Sequence, residues 1–374
     1  MKTFHCDQCG QQVFFENVRC ENCGGMLGYQ PEQRGITTFE AAGAGLWRSL
    51  NRSNAGRLFK QCINYARQSV CNWMLAAESR EDLCASCQLT HSIPALSGQN
   101  RLYWRRLEAA KRRLLYSLFE LNLAPTSKRQ SPATGLAFEF LQDLPSGRVI
   151  TGHDNGMITL NIAEADPAFR EKVREQMHEP YRTLLGHFRH ESGHYYFDRL
   201  VAGSKWIEPY RALFGDERAD YSAALQQHYR KGPPDDWNEQ YISTYSSAHP
   251  WEDWAESWAH YLHMIDTLDT AFACGMTLRP KRDDEPQLVL EEQPLSTASF
   301  NDMMADWFAL TYVLNSLNRS IGMPDAYPFT LSPQVRGKLR FIHTVILDHH
   351  NSKVEAEAQA GAVGMTGNAD SIVI

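Results

Sequence analysis

The stretch His190-Glu191-Ser192-Gly193-His194 carries the residue types for metal-assisted hydrolysis. Two histidines four apart on a helix project from one face, so both imidazoles can reach a single cation. The glutamate after the first histidine is placed to take a proton from a water beside that cation. Drawn at 3.6 residues per turn, His187, His190, Glu191, His194 and Asp198 share one sector. Tyr181, Leu184, Leu185, Phe188, Tyr195 and Tyr196 fill another. The predicted helix therefore has a core face and a metal-competent face. Taken alone, the motif also fits an exposed helix face with two ordinary histidines.

A catalytic zinc needs a third protein ligand and an open position for water. The extended motif HExxHxxGxxH is excluded, because Phe197 and Leu200 stand where its glycine and last histidine would be. A carboxylate from a later helix is the other solution, and residues 249–266, HPWEDWAESWAHYLHMID, offer one. Pro250 suits a first helical turn. Trp251, Trp254, Trp258, Tyr261 and Ile265 form a bulky apolar stripe, with Glu252, Glu256, Ala259 and His263 in the opposite sector. So anchored, the helix would hold Glu252 toward the metal. Glu256, one turn on, could accept the free N–H of a ligating histidine. Glu256 and Asp198 remain rival third ligands. His187, His260 and His263 read as polar-face histidines, and Asp216 and Asp220 as the start of a helix or as hydrogen-bonding support.

Eight of the nine cysteines fall into two sets, Cys6, Cys9, Cys20 and Cys23, then Cys62, Cys71, Cys84 and Cys87. In a chain that opens MKTFHCDQCG, without the apolar run of an export signal, such spacing reads as zinc ligation in a reducing compartment rather than disulfides. Residues 1–30 are expected to form a zinc ribbon: two CxxC knuckles, each followed by a glycine (Gly10, Gly24) that tolerates a sharp turn, around a short strand at Val13-Phe14-Phe15. The second set, with one CxxC, points to a second structural zinc with less force; buried free thiols are its rival. Residues 31–130 then comprise this cysteine-rich module and a helix over 101–121. That helix has an apolar face of Leu107, Ala110, Leu114, Leu118 and Leu121, and a solvated basic face of Arg101, Arg105, Arg106, Arg112 and Arg113. The segment after Pro125 reads as a linker.

Strands are predicted at 136–140, 149–150 and 157–162, with helices at about 168–178, 180–201, 216–230, 250–267, 299–319 and 332–346. Strands followed by helices give an α+β domain over 131–346. A loop is expected near 279–297, around Asp283-Asp284-Glu285, and a disordered tail over 347–374. The net charge of −7 gives no bulk attraction to nucleic acid, and the chain has no apolar run long enough to span a membrane.

HESGH followed, 58 residues after its second histidine, by EDWAE resembles the gluzincins, whose ligands are HExxH and the first glutamate of a later helix. Closer still is the subgroup around anthrax lethal factor and the bacterial Pro-Pro endopeptidases, which carries a catalytic tyrosine seven residues before that glutamate. Here that position is Tyr245. The ribbon, the LCASC segment and these motifs together resemble a bacterial family of zinc-binding metallopeptidases with an N-terminal zinc ribbon, over roughly residues 1–345. The resemblance implies a zincin-like domain with one catalytic zinc on His190, His194 and Glu252, besides one or two structural zinc ions. Glu191 would be the general base and Tyr245 the donor to the oxyanion. A peptide or protein substrate would pair along Met157–Ile162 as the sheet edge, in a cytoplasmic enzyme. The rival from another class is a non-proteolytic adaptor that docks protein or nucleic acid through its ribbon. An intact Glu191 argues against it, since a structural metal needs no base.

Overall fold

The computed structural model describes residues 1–177, 183–282, 284–290, 293–294 and 299–366. It is an α+β protein. Among the described residues, eight helices exceed one turn: α1 (Asn100–Glu120), α2 (Pro167–Met177), α3 (Leu184–Tyr196), α4 (Ile207–Phe214), α5 (Tyr221–Lys231), α6 (Pro250–Ala273), α7 (Phe300–Ser320) and α8 (Pro333–Thr366). The chain divides into two compact units, residues 1–195 with 262–328, and residues 196–261 with 329–374.

The first unit opens with β1 (Phe4–His5) paired antiparallel to β2 (Gln12–Val13). Gly10 and Gly24 close the knuckles at φ 73° and 75°, where a side chain would be strained. A five-stranded antiparallel sheet follows in sequential order: β3 (Met26–Gln30), β4 (Gly35–Gly43), β5 (Leu46–Ser49), β6 (Leu58–Gln61) and β7 (Met74–Ala76). The expected break near residue 30 is absent. β3 begins three residues after Cys23, and the Asp7 and Thr38 side chains exchange hydrogen bonds with each other's backbone N–H at 2.7–2.9 Å. The knuckles and the sheet are thus one body.

Helix α1 buries Leu107, Leu114, Leu115 and Leu118 completely. Its basic face is not simply solvated. Arg112 is buried and donates to the Val70 carbonyl (2.7 Å), and Arg106 donates to the Ala165 carbonyl (2.9 Å). Long guanidinium side chains are here used as internal donors to loop carbonyls. The segment after Pro125 is no loose linker either. Thr126 and Leu136 are joined by backbone hydrogen bonding, and Ser127 is buried.

The second sheet runs in the order β10 (Gly152–Asp154), β11 (Met157–Asn161), β9 (Ala137–Leu141), β8 (Thr90–Ser92). β8 and β11 flank β9 in parallel, while β10 is antiparallel to β11. Two expectations are corrected here. Val149 and Ile150 lie in a loop, and the strand starts at Gly152. The Met157–Ile162 segment is not the edge, because the Asp154-Asn155-Gly156 turn folds β10 back outside it. In the region 279–297 a two-residue pairing joins β12 (Thr277–Leu278) to β13 (Leu288–Val289). Asp283 lies outside the described residues, as do Tyr181 and part of the predicted 180–201 helix.

In the second unit, α3 passes at Phe197 into a π-helical turn, Phe197–Val201. The predicted 216–230 helix is α5, which starts five residues later at Tyr221, and the unpredicted α4 ends before it at Gly215; Asp220 caps α5 by accepting from Ala223 N–H (3.0 Å). Trp254, Trp258 and Tyr261 of α6 are buried with Phe197, Tyr210 and Phe214. Helix α8 contributes Val335, Leu339, Ile342, Val345 and Ile346. It continues to Thr366, twenty residues beyond the predicted end; the last eight residues of the predicted tail lie outside the described residues.

Candidate active site and metal centres

Both cysteine sets lie in the first unit, and in each set the four sulfurs lie within 4.8 Å of one another. All nine cysteines are free thiols. The closest sulfur pairs, Cys6–Cys23 at 3.5 Å, Cys9–Cys20 at 3.6 Å and Cys71–Cys84 at 3.6 Å, are far longer than a disulfide. Two thiolates bound at about 2.3 Å to a tetrahedral zinc stand about 3.8 Å apart, so the spacing suits a zinc held by four thiolates. At the outer set, the backbone N–H of Gln11 and then the Asn22 side chain draw the Cys9 thiol down to about 6, favouring thiolate. The inner set is buried throughout. There Trp73 N–H points at the Cys71 sulfur and Cys84 N–H at the Cys62 sulfur, both at 3.4 Å.

Helix α3 is fixed in the first unit by its apolar and polar contacts. Phe188, fully buried, packs on Phe138 and Phe140 of β9 with ring centroids 5.5 and 6.2 Å apart. Arg189, also buried, pairs with Asp266 at 2.7 Å and meets His263 Nδ1 at 3.3 Å. Tyr195 donates to the Thr134 carbonyl (3.1 Å). The opposite face then presents His190 and His194 with centroids 5.0 Å apart and rings nearly perpendicular. Glu191 is buried beside them. Asp198 lies in the π-helical turn Phe197–Val201 and is exposed.

Strand β10 adds a residue that the sequence reading missed. His153 stacks on His194, with centroids 6.1 Å apart and planes at 22°. Its Nε2 accepts from the Gly156 N–H at 2.9 Å, which puts the ring proton on Nδ1. Burial, with smaller effects from His194 and Lys128, pushes its pKa down to about 3. A histidine opposite an apolar residue, in a hairpin three residues before Gly156, was a weak signal, because strand alternation did not extend to 152–154.

The other expected histidines are mostly packed rather than solvated. His263 stacks on Tyr327 and meets Trp307 edge-on, both at 5.8 Å, and His260 lies against Phe329 at 4.5 Å. His187 faces Glu164 at 3.9 Å.

In the second unit Glu252 sits in the first turn of α6 with 1% of its surface exposed. Its Oε1 accepts from the Tyr221 hydroxyl at 2.6 Å, a partner that no sequence pattern announced. Glu256 accepts from Ser243 Oγ at 2.7 Å. Next to Glu252, buried Asp253 pairs with buried Lys338 at 2.6 Å, and Lys338 also donates to the Gln240 carbonyl at 2.6 Å. Tyr245 opens a 3-10 turn, Tyr245–Ala248, half-buried with its ring edge-on to His228 at 6.1 Å. The loop that carries it is thus tied to α6 through Ser243–Glu256, and to both α6 and α8 through Gln240–Lys338–Asp253.

No helix among the described residues is long and apolar enough to cross a membrane. Residues 3–98 match a zinc-ribbon domain family, which spans both cysteine sets, and the other match begins at residue 100 rather than near 131. Curated relatives include uncharacterised proteins of Mycobacterium bovis and of two strains of Mycobacterium tuberculosis. Each is 42% identical over 349 residues, covering 92% of this chain and 95% of the relative. No solved structure matches. Residues 100–345, which hold the HExxH helix, Tyr245 and Glu252, match the family described as "Putative zinc-binding metallo-peptidase", and the chain belongs to that family.

Proposed function

We propose that the protein is a gluzincin-like peptidase in which His190, His194 and Glu252 hold a catalytic zinc and Glu191 is the general base. One observation carries the reading. In the first unit α3 presents His190 and His194 from one face, with ring centroids 5.0 Å apart and Glu191 buried beside them, and Glu252 would complete a donor set of two imidazoles and one carboxylate. That composition is a standard catalytic-zinc set. The Arg189–His263 and Arg189–Asp266 contacts support it, since they seat the later part of α6 against α3.

Zinc in such a site supplies Lewis acidity and lowers the pKa of a water toward about 7. Glu191 then takes a proton from the attacking water and returns it to the leaving amine. Tyr245 donates its O–H to the oxygen that gains charge at the scissile carbonyl. An extended peptide pairs with β10, the free edge beside His194, through main-chain hydrogen bonds. The two cysteine sets hold structural zinc, and a reducing cytoplasm keeps their thiols available for it.

The test is Glu191→Gln. The variant should keep the parent's zinc content and lose hydrolysis of a broad peptide library by at least about a thousandfold, near the upper range for general-base loss. Equal cleavage patterns and rates for the two proteins would sink the peptidase reading. If no cleavage is seen even with the parent, while a partner is retained by both forms, an adaptor role is favoured instead.

A further inference from the structure

Glu252 is held by more than its own helix. Tyr221, the first residue of α5, donates its hydroxyl to Glu252 Oε1 at 2.6 Å, within the range of a charge-assisted O–H···O bond. The position of Tyr221 is in turn fixed from both sides. Asp220 caps the helix that Tyr221 begins. His249 Nδ1 accepts from Trp251 N–H at 3.1 Å, so its Nε2 carries the proton and donates to the Ala219 carbonyl, also at 3.1 Å. The Tyr221 ring rests edge-on against His249 (5.3 Å) and Trp251 (5.8 Å). Residues 219–221 and 249–252 therefore form a closed ring of contacts that ends on one carboxylate oxygen.

We propose that Tyr221 is a positioning residue that makes Glu252 a one-oxygen zinc ligand and so keeps a coordination position open for water. The inference rests on Glu252 being the third ligand. A carboxylate can bind a metal through one oxygen or both. The phenol engages Oε1 and stabilises negative charge there, which leaves the other oxygen as the donor toward an ion. Without that hydrogen bond the second oxygen is available to close on the metal, and the fourth position of a catalytic site, which must stay open, becomes crowded. Support of this kind is commonly worth ten- to a hundredfold in metal affinity. Tyr245, which the family resemblance marks for the oxyanion, has a different task, and the two tyrosines should separate experimentally.

The experiment compares full-length parent, Tyr221→Phe, Glu252→Ala and His190→Ala. Zinc competition against a chelator reads affinity, with His190→Ala defining the signal of the remaining zinc sites. Cobalt substituted at the chelator-labile site reads coordination number through its visible absorption, and melting temperature reads the fold. The expectation for Tyr221→Phe is a ten- to a hundredfold weaker zinc affinity, with a cobalt band that weakens toward a five-coordinate form. An unchanged affinity and cobalt band in Tyr221→Phe, with the labile metal lost in Glu252→Ala, would overturn the positioning role alone. A lower melting temperature with both metal readouts unchanged would do the same, by showing Tyr221 to be a packing residue. Retention of the labile metal in Glu252→Ala would overturn both this inference and the ligand assignment beneath it.

Discussion

Glu191, His194 and Glu252 are all nearly excluded from solvent, with exposures of 7%, 3% and 1%. Buried polar and ionisable groups are costly unless paired or bound to a metal. At Glu252 the cost is offset in part by the Tyr221 hydroxyl, which donates to Oε1. Tyr245, the proposed oxyanion donor, differs from these in being half-buried on a short turn. Its hydroxyl should matter only as charge develops at the scissile carbonyl. Tyr245→Phe is expected to lower kcat by about a hundredfold or more with little change in KM, as for loss of one oxyanion donor. Steady-state kinetics on any cleaved peptide decide this, since a binding role would raise KM instead. Gly156 shows how narrow the tolerance is at the edge hairpin. Its φ is 79°, and a Cβ there would meet the Gly135 carbonyl oxygen at 2.3 Å.

Among the elements, α6 does the most positioning. Trp254 and Trp258 anchor its buried side, stacked with centroids 5.8 Å apart, and its polar side carries Glu252 and Glu256. Lys338 of α8 reaches Asp253 and the Gln240 carbonyl, and it lies 4.4 Å from the centre of the Tyr241 ring. Burial raises Asp253 to about 7 even though the adjacent Lys338 pulls the other way, so desolvation outweighs the ion pair. A carboxyl whose pKa rises on folding favours the folded state at low pH, and that stability is lost as pH climbs from the ordinary carboxylate range through about 7. Lys338→Met removes the compensating charge. It should destabilise the protein by about 3 kcal/mol at pH 8, and by less at pH 6 where Asp253 can carry a proton. Urea unfolding at the two pH values tests this. An equal loss at both would show that Asp253 does not titrate in the interval.

On the scale of the whole molecule, two sets of four thiols lie together among the described residues, and the proposed catalytic set would add two imidazoles and a carboxylate. Each set suits one zinc by number and type of ligand. Metal analysis of the purified protein should give about three zinc ions per chain, and His190→Ala, Cys6→Ser and Cys71→Ser should each remove about one. The losses should differ in consequence. The cysteine changes should unfold local structure, because small cysteine modules depend on their metal, whereas the histidine change should leave the fold in place. Two zinc ions in the parent, unaffected by Cys71→Ser, would mean that the inner cysteines are simply buried thiols.

What the sequence determined by itself is the part governed by local period and by chemistry that tolerates few substitutes. HESGH is a helical spacing, CxxC is a knuckle spacing, and the tryptophan stripe of α6 is a helix face. Those residues announced a zinc-binding family and the ribbon before any fold was known, and the order of strands before helices announced the α+β class. What only the tertiary structure decided depends on contacts between segments far apart in the chain. The turn at Asp154-Asn155-Gly156 was legible, but not that it folds β10 outside β11 and makes His153, not Met157–Ile162, the edge beside His194. The same holds for Arg112, whose apparent place on a solvated helix face is overruled by the Val70 carbonyl. Tyr221 is the clearest case. Its hydrogen bond to Glu252 joins residues 31 positions apart, and periodicity carries information only along one element, never between two.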